Sequence, residues 1–388
     1  MARPLALAGL PLLEDLGDVA GKRVLVRTDF NVPLKDVDGR VVVADDFRIR
    51  SAVPTLSWLI DRGATVVCAS HLGRPDGKKD ERYSMDPVAR HVRSLLPGVE
   101  VLENLRFNAG ETANDAAFTA SLVEGFDLYV NDAFGVSHRA HASLVGPPTV
   151  LPSAAGRLVQ HEVEALGGLL SEPKKPFVAI VGGAKVADKL GVLKALAKVA
   201  DSIIVGGGMA FTFLGAQGRS IGGSLFDASR LDDCAALLGG HAEILLPTDI
   251  VALSPGSSFG PGETSGDVDT FTGDLPEGWV GLDIGAQSAA SFASVIANAG
   301  TVLWNGPMGA FEDERFALGT RAVGAAVASC GGNSVVGGGD SCRAIEEMGL
   351  VDQISFMSTG GGASLEFLEF GDLPGLAALR HAPNAPRS

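Results

Sequence analysis

Short, nearly unbroken apolar runs recur along this chain, spaced so that a helix-length segment fits between neighbours. The first series is "KRVLVRTDF", "ATVVCAS", "VEVLEN" and "FDLYVNDAF"; the second is "PFVAIVGG", "SIIVGGG", "EILLPTDIVAL", "TVLWNGP" and "SVVGGGD". Strands with one wet face would alternate apolar and polar residues. These do not, so the pattern predicts strands covered on both faces, in parallel sheets flanked by helices. The fold class that follows is α/β, with two doubly wound parallel-sheet (Rossmann-like) domains. Between the series, "SAAGRLVQHEVEALGGLLSEPKKP" keeps a helical period and ends in a Pro- and Lys-rich breaker. It predicts a connecting helix at roughly 153–171 as the domain boundary. The final "HAPNAPRS" is too proline-rich for helix and reads as a tail.

The length of 388 residues agrees with two domains, since single cores stop growing well below it. A net charge of −15 argues against nucleic acid and anionic membranes as partners. The apolar runs are too short to span a bilayer. The opening "MARPLALAGLPLLEDLGD" is broken by Pro4, Gly9 and Pro11 and then turns acidic, so it reads as a mature start and not a secretory signal. Cys68, Cys234, Cys330 and Cys342 show no CxxC spacing, which fits reduced thiols in a cytoplasmic protein. The charge is uneven. Residues 1–150 hold 17 Lys+Arg against 20 Asp+Glu, whereas the remainder holds 14 against 26. The first half could therefore hold a small anion; solvated surface arginines are the bland alternative if they are scattered.

The second series ends repeatedly in glycine: Val181-Gly182-Gly183, Val205-Gly206-Gly207-Gly208, Val336-Gly337-Gly338-Gly339 and Thr359-Gly360-Gly361-Gly362. Ligands of open α/β sheets sit beyond the carboxyl ends of the strands, and bare backbone there lets N–H groups face an anion. Four such turns on one rim point to a nucleotide-sized polyphosphate; tight packing is the bland alternative. There is no G-x-x-x-x-G-K-[ST] loop, no protein-kinase set, and no dinucleotide fingerprint, since "VGGGMAF" puts Phe211 at its third glycine. In "VGGAKVADKL", Lys185 and Lys189 are four apart, which predicts one face of the first helical turns, either toward phosphates or continuing a solvated stripe with Lys194 and Lys198. Asp340 behind the third glycine run can hold a Mg²⁺ bridging phosphates, or merely cap a helix.

In the first half, Asp29 and Asn31 follow one strand, and "DDFRIR" supplies Arg48 and Arg50 flanking a strand end. His71 and Arg74, then Arg106, then His138, Arg139 and His141, follow the other strands. Arg forks and imidazoles converging beside an Asp/Asn pair suit a small phosphorylated hydroxy-acid.

The segments "RTDFNVPL", "SHLGRP", "LENLRF", "VNDAFGVSHRAHAS", "VGGAKVADK", "WNGPMGAFE", "VVGGGDS" and "STGGGAS" resemble, in order, the signature segments of the phosphoglycerate kinase family, from about residue 20 to 370. The resemblance implies reversible phosphoryl transfer from 1,3-bisphosphoglycerate to ADP, giving 3-phosphoglycerate and ATP with Mg²⁺, by a cytoplasmic monomer. It implies a substrate domain of residues 1–155 plus about 370–388, an interdomain helix at 156–172, and a nucleotide domain at 173–369. Arg48, Lys189 and Gly361 take the family's transfer positions. Asp29, Phe30, Asn31, Arg48, His71, Leu72, Gly73, Arg74, Arg106, Arg139 and His141 take its substrate positions. Lys185, Lys189, Gly206, Gly207, Gly208, Gly281, Glu312, Gly338, Gly339, Asp340 and Ser341 take its nucleotide positions, with Asp340 at the metal.

Three stretches depart from the family pattern: Ala286-Gln287 in "GLDIGAQS", Gly215 where Lys is frequent, and Phe370 with Asp372 in "SLEFLEFGD". The chemistry needs no proton abstracted, because phosphate oxygen and carboxylate are already ionised, so positioning and charge stabilisation carry the transfer. A cleft that closes about the connecting helix and residues 360–365 would exclude water from the acyl phosphate. The competing readings are a kinase for another small carboxylate, a non-catalytic nucleotide-binding protein on the same fold, and a dehydrogenase.

Overall fold

The computed structural model describes residues 4–386. The first three residues of the expected mature start and the last two of the expected tail lie outside that span. The chain divides into two compact units. One runs to Glu164 and takes back the chain from Asp372; the other is Ala165–Gly371.

The first unit is built on β1 (Arg23–Thr28), followed by a hairpin of β2 (Leu34–Val37) and β3 (Arg40–Val43), then β4 (Thr65–Ala69), β5 (Glu100–Val101), β6 (Leu128–Asp132) and β7 (Ser153–Ala155). Five of these form one parallel sheet in the order β5-β4-β1-β6-β7. Val24, Val26, Val66, Cys68 and Val130 are buried from the sheet, and helix Phe47–Ile60 adds Leu56 and Leu59 to the same core. The hairpin turns at Asp38 and Gly39, both with positive φ, as a tight two-residue turn requires.

The second unit carries β8 (Phe177–Val181), β9 (Ser202–Val205), β10 (Glu243–Leu245), β11 (Asp249–Leu253), β12 (Val268–Thr272), β13 (Val280–Ile284), β14 (Thr301–Asn305), β15 (Asn333–Gly337) and β16 (Phe356–Met357). Its main sheet is parallel throughout, in the order β10-β9-β8-β14-β15-β16. Trp304 of β14 is fully buried, with Val302, Val336 and Phe292 in the same core. One expectation is corrected here. The run "EILLPTDIVAL" is two strands, because Pro247 cannot donate to a ladder. Its first half joins the parallel edge, while its second half, β11, pairs antiparallel with β12 and β13 in a separate small sheet.

The connecting helix is Arg157–Ser171, and residues 153–155 before it are the edge strand β7. Its start is fixed inside the first unit: Leu158 N donates to Asp132 Oδ1 at 3.0 Å and Arg157 N to Thr55 Oγ1 at 2.7 Å. The chain re-enters the first unit after Gly371, whose φ of +75° ends helix Gly362–Phe370. Helix Pro374–Arg380 then packs with Gly375 N on Ser137 O. The expected tail is docked: Asn384 bonds both N and O of Ser153, at 2.7 and 3.1 Å.

The departures from the family pattern have local explanations. A Cβ on Gly215 would stand 2.8 Å from the Phe226 ring, so a long side chain has no room there without displacing that ring. Asp249 caps the helix that starts at Ala286, accepting from Gln287 N at 3.0 Å and Ser288 N at 2.8 Å, so the changed side chains leave the helix start intact. Asp372 pairs with Arg380. The structure gives no reason for Phe370, which is exposed.

Candidate active site

In the first unit the predicted basic residues converge at the carboxyl ends of β1, β4, β5 and β6. Asp29 is buried and its carboxylate pairs with Arg48 in the first turn of helix Phe47–Ile60. Phe30 is buried, and its N–H donates to Ser70 Oγ at 2.8 Å. Asn31 Oδ1 accepts from Gly73 N at 2.9 Å, tying the turn after β1 to the turn after β4. Gly73 has φ +59° and the Tyr83 ring lies against it, so no side chain fits. His71 and Leu72 are buried beside it. Arg106 Nη1 donates to Gly73 O at 2.8 Å, while Arg74 and Arg139 are exposed.

Beneath lies a tier that sequence reasoning did not single out. Arg27 and Glu111 are buried, with Arg27 Nε on Ser143 Oγ at 2.8 Å and Glu111 accepting from Ser143 N at 2.9 Å and Ser143 Oγ at 2.7 Å. An arginine inside an otherwise apolar strand was the available signal. Burial, then the field of Arg27, Arg106 and Arg48, holds the His71 pKa well below the usual imidazole range. Burial likewise pushes His141 down to about 4, against the opposing pull of Glu111. Arg106 is also lowered, by burial and by Arg27 and Arg139. Asp29 Oδ1, Arg106 Nε and His141 Nδ1 are buried with no hydrogen-bond partner. Buried polar atoms are rarely left so, and here a bound ligand or an ordered water would supply the partner.

In the second unit the glycine turns follow β8, β9, β15 and β16, and Gly306 follows β14. Five adjacent strands of one sheet therefore end in glycine on the same rim. Gly207 has φ +66°, and a Cβ there would stand 2.6 Å from Gly183 O. A cavity of 340 Å³ opens on this rim, walled by Gly183, Ala184, Gly207, Gly208, Gly281, Pro307, Gly309 and Glu312, with Leu225 and Phe259 as its apolar side and Asp340 at its edge. Phe211, beneath, packs against Gly281. Of the predicted nucleotide residues, Gly207, Gly208, Gly281, Glu312 and Asp340 line the cavity. Gly206 is buried against Met308, and Gly338, Gly339 and Gly361 lie along the rim outside it.

The lysine expectation is half corrected. Residues 184–189 form no helix; the helix begins at Leu190, so Lys185 and Lys189 do not share a helical face. Lys185 is exposed. Lys189 turns inward, donating to Asn305 Oδ1 at 2.7 Å and Asn305 O at 3.0 Å, with its amine beside Gly183 and Gly306. Burial lowers its pKa to about 8, opposed by Asp340 and Asp188. Asn305, unremarked in "WNGP", thus orients the rim's lysine. Ser341 is also redirected: it is buried and its Oγ accepts from Gly306 N at 2.6 Å, bracing two glycine turns. Asp340 is exposed, and Arg343 Nη2 reaches both it (3.2 Å) and Glu312 (2.7 Å). Arg343 was also missed, having no strand end to mark it.

The family model described as phosphoglycerate kinase matches residues 13–101 and 97–370. A phosphoglycerate kinase of Rubrobacter xylanophilus is 49% identical over 386 residues, covering 93% of this chain and 96% of its own length. One from Moorella thermoacetica is 48% identical, covering 95% of this chain and 98% of its own. Among solved structures, the phosphoglycerate kinase of Coxiella burnetii superposes with a TM-score of 0.85 at 38% identity, over 93% of this chain and 97% of that one. That of Pyrococcus horikoshii gives 0.79 at 30% identity, over 96% and 99%. With strand-end cations in one unit, a glycine rim in the other, and likeness of this extent across both, the chain belongs to the phosphoglycerate kinase family.

Proposed function

We propose that the basic cluster of the first unit binds the glycerate substrate, that the glycine-rimmed cavity of the second binds ADP or ATP, and that Arg48 and Lys189 stabilise the phosphoryl group passing between them. The reaction itself is the family's: reversible phosphoryl transfer from 1,3-bisphosphoglycerate to ADP. The observation that carries the residue roles is the cationic cluster in which Asp29 Oδ1, Arg106 Nε and His141 Nδ1 lack hydrogen-bond partners. A phosphorylated hydroxy-acid brings acceptors for the arginine and a hydroxyl donor for the carboxylate.

The attacking atom in either direction is already an anion, so no general base is required. Arg48 is partly exposed and held by Asp29, which leaves guanidinium nitrogens free to meet equatorial phosphoryl oxygens. Lys189, held by Asn305 on the rim, places an ammonium at the phosphate side of the cavity. The Asn31–Gly73 and Arg106–Gly73 bonds fix the substrate loop and set its orientation. Transfer requires the two substrates to be brought together, which calls for closure about the connecting helix and residues 360–365.

Among the described residues no group of three or more His, Cys, Asp and Glu could cage a metal. One exposed carboxylate at the cavity edge, Asp340, suits a Mg²⁺ whose other ligands are nucleotide phosphates and water. When bound, that ion neutralises phosphate charge. We read the protein as a cytoplasmic monomer, as its family resemblance implies; its four cysteines are free thiols, and among the described residues no helix is long and apolar enough to cross a membrane. The test is ATP formation from 1,3-bisphosphoglycerate and ADP in wild type and Arg48→Ala. The variant is expected to lose about a hundredfold or more in kcat with ADP affinity unchanged. Near-normal turnover would remove Arg48 from its role.

A further inference from the structure

The segment between β11 and β12, residues 254–267, carries Phe259, whose ring walls the cavity although the residue is half exposed. Four glycines of this loop, Gly256, Gly260, Gly262 and Gly266, have positive φ. So glycine-rich a loop costs much conformational entropy to order. Within the loop, Glu263 accepts from Ser258 Oγ, Thr264 N and Ser265 N, and from outside it one ion pair grips the segment around Phe259. Arg315 forks onto Asp313 with Nε at 3.0 Å and Nη2 at 2.8 Å. Asp313 is buried, with 3% side-chain exposure, and Arg315 is partly buried, with 18%. From that pair, Arg315 Nη2 donates to Ser258 O at 3.2 Å and Nη1 to Ser265 O at 2.5 Å, while Asp313 Oδ2 accepts from Gly260 N at 3.2 Å. Both chain neighbours of Phe259 are therefore gripped by the same two side chains. Asp313 also directly follows Glu312, which lines the same cavity.

We propose that Asp313 and Arg315 are positioning residues for the nucleotide. By clamping Ser258 and Gly260 they hold the Phe259 ring as a preformed outer wall, so nucleoside diphosphate affinity depends on the pair while the transfer step does not. The inference rests on reading the cavity as the nucleotide site. Its energetic logic is preorganisation: the loop is ordered before the ligand arrives, and the ligand need not order it.

The test compares wild type with Phe259→Ala, Arg315→Lys, and the pair Asp313→Ser with Arg315→Ala, which leaves no lone carboxylate buried. Calorimetry with ADP gives Kd, the coupled assay gives KM and kcat, and circular dichroism verifies the fold. Removing the clamp is expected to raise Kd and KM for ADP about five- to twentyfold, with kcat changed less than twofold and KM for 1,3-bisphosphoglycerate unmoved. Arg315→Lys should fall between. Combining clamp removal with Phe259→Ala should be no worse than Phe259→Ala alone, since both act through one ring. ADP Kd within twofold of wild type in the folded clamp variant, or effects that multiply with Phe259→Ala, would overturn the inference. Leu225→Trp separates this from failure of the cavity reading. If ADP binding survives an indole filling the cavity, both fall; if it is lost while the clamp variant binds normally, only the clamp falls.

Discussion

Lys189→Met should abolish efficient turnover and also change how stability depends on pH. The amine is buried, bonded to Asn305, and its pKa lies at about 8 instead of 10.5. Between those values the unfolded chain binds more protons than the folded one. This lysine therefore makes the unfolding free energy rise with pH across that window. At pH 7 the folded protein bears the full cost of a desolvated ammonium; by pH 10.5 the folded-state amine is neutral and the cost has nearly gone. Two and a half pK units correspond to about 3 kcal/mol. Methionine removes this component and also strands the Asn305 acceptors, a penalty of about 1–3 kcal/mol that does not vary with pH. Urea unfolding of wild type and variant, both carrying Trp58→Phe, reports through Trp279 and Trp304, the tryptophans of the second unit. The stability of wild type relative to the variant should rise by about 3 kcal/mol between pH 7 and 10.5. A difference flat to within about 0.5 kcal/mol would refute a depressed lysine and the desolvated rim it implies.

Asn305→Ala should lower kcat/KM for ADP about tenfold, because the lysine loses its orienting acceptor; unchanged kinetics would show that the rim fixes the amine without it. Arg343→Ala frees Asp340 and Glu312. Calorimetric titration of the ADP complex with Mg²⁺ should then show two- to fivefold tighter metal binding, the modest size following from a pair exposed to solvent. Equal or weaker metal binding would contradict competition between Arg343 and the ion. His71 and His141 should stay neutral from pH 5.5 to 8, since both pKa values are held down by burial and neighbouring arginines. Proton NMR of their ring C–H signals should show no titration step near 6.5, and a step there would place them outside the cationic cluster.

Much of the architecture was legible because it rests on one physical signal, strands apolar on both faces, which parallel sheets require. The glycine turns were legible for a related reason: no other residue type permits backbone to approach backbone at Gly207. Other features carried weaker signals. Asp38-Gly39 announces a hairpin, yet its two four-residue strands are short and largely exposed, so they do not stand out beside the buried runs. The break at Pro247 turns one apolar run into two strands of different sheets, a tertiary outcome that periodicity cannot rank. Lys185 and Lys189 carry helical spacing in a segment that is loop. Asn305 is a neutral amide whose function comes from one hydrogen bond, and Phe259 reaches the cavity from a loop with no periodic pattern. Loop-borne contacts of this kind are set by three-dimensional approach.

The docking of residues 372–386 onto the lobe that begins the chain has a consequence for biosynthesis. Ser153, on the sheet's last strand, awaits Asn384, which a ribosome adds only after the whole of the second unit has been made. The lobe made first is accordingly the lobe finished last. Until then its border strand lacks its partner, and the later-made lobe can close on itself before the earlier one does.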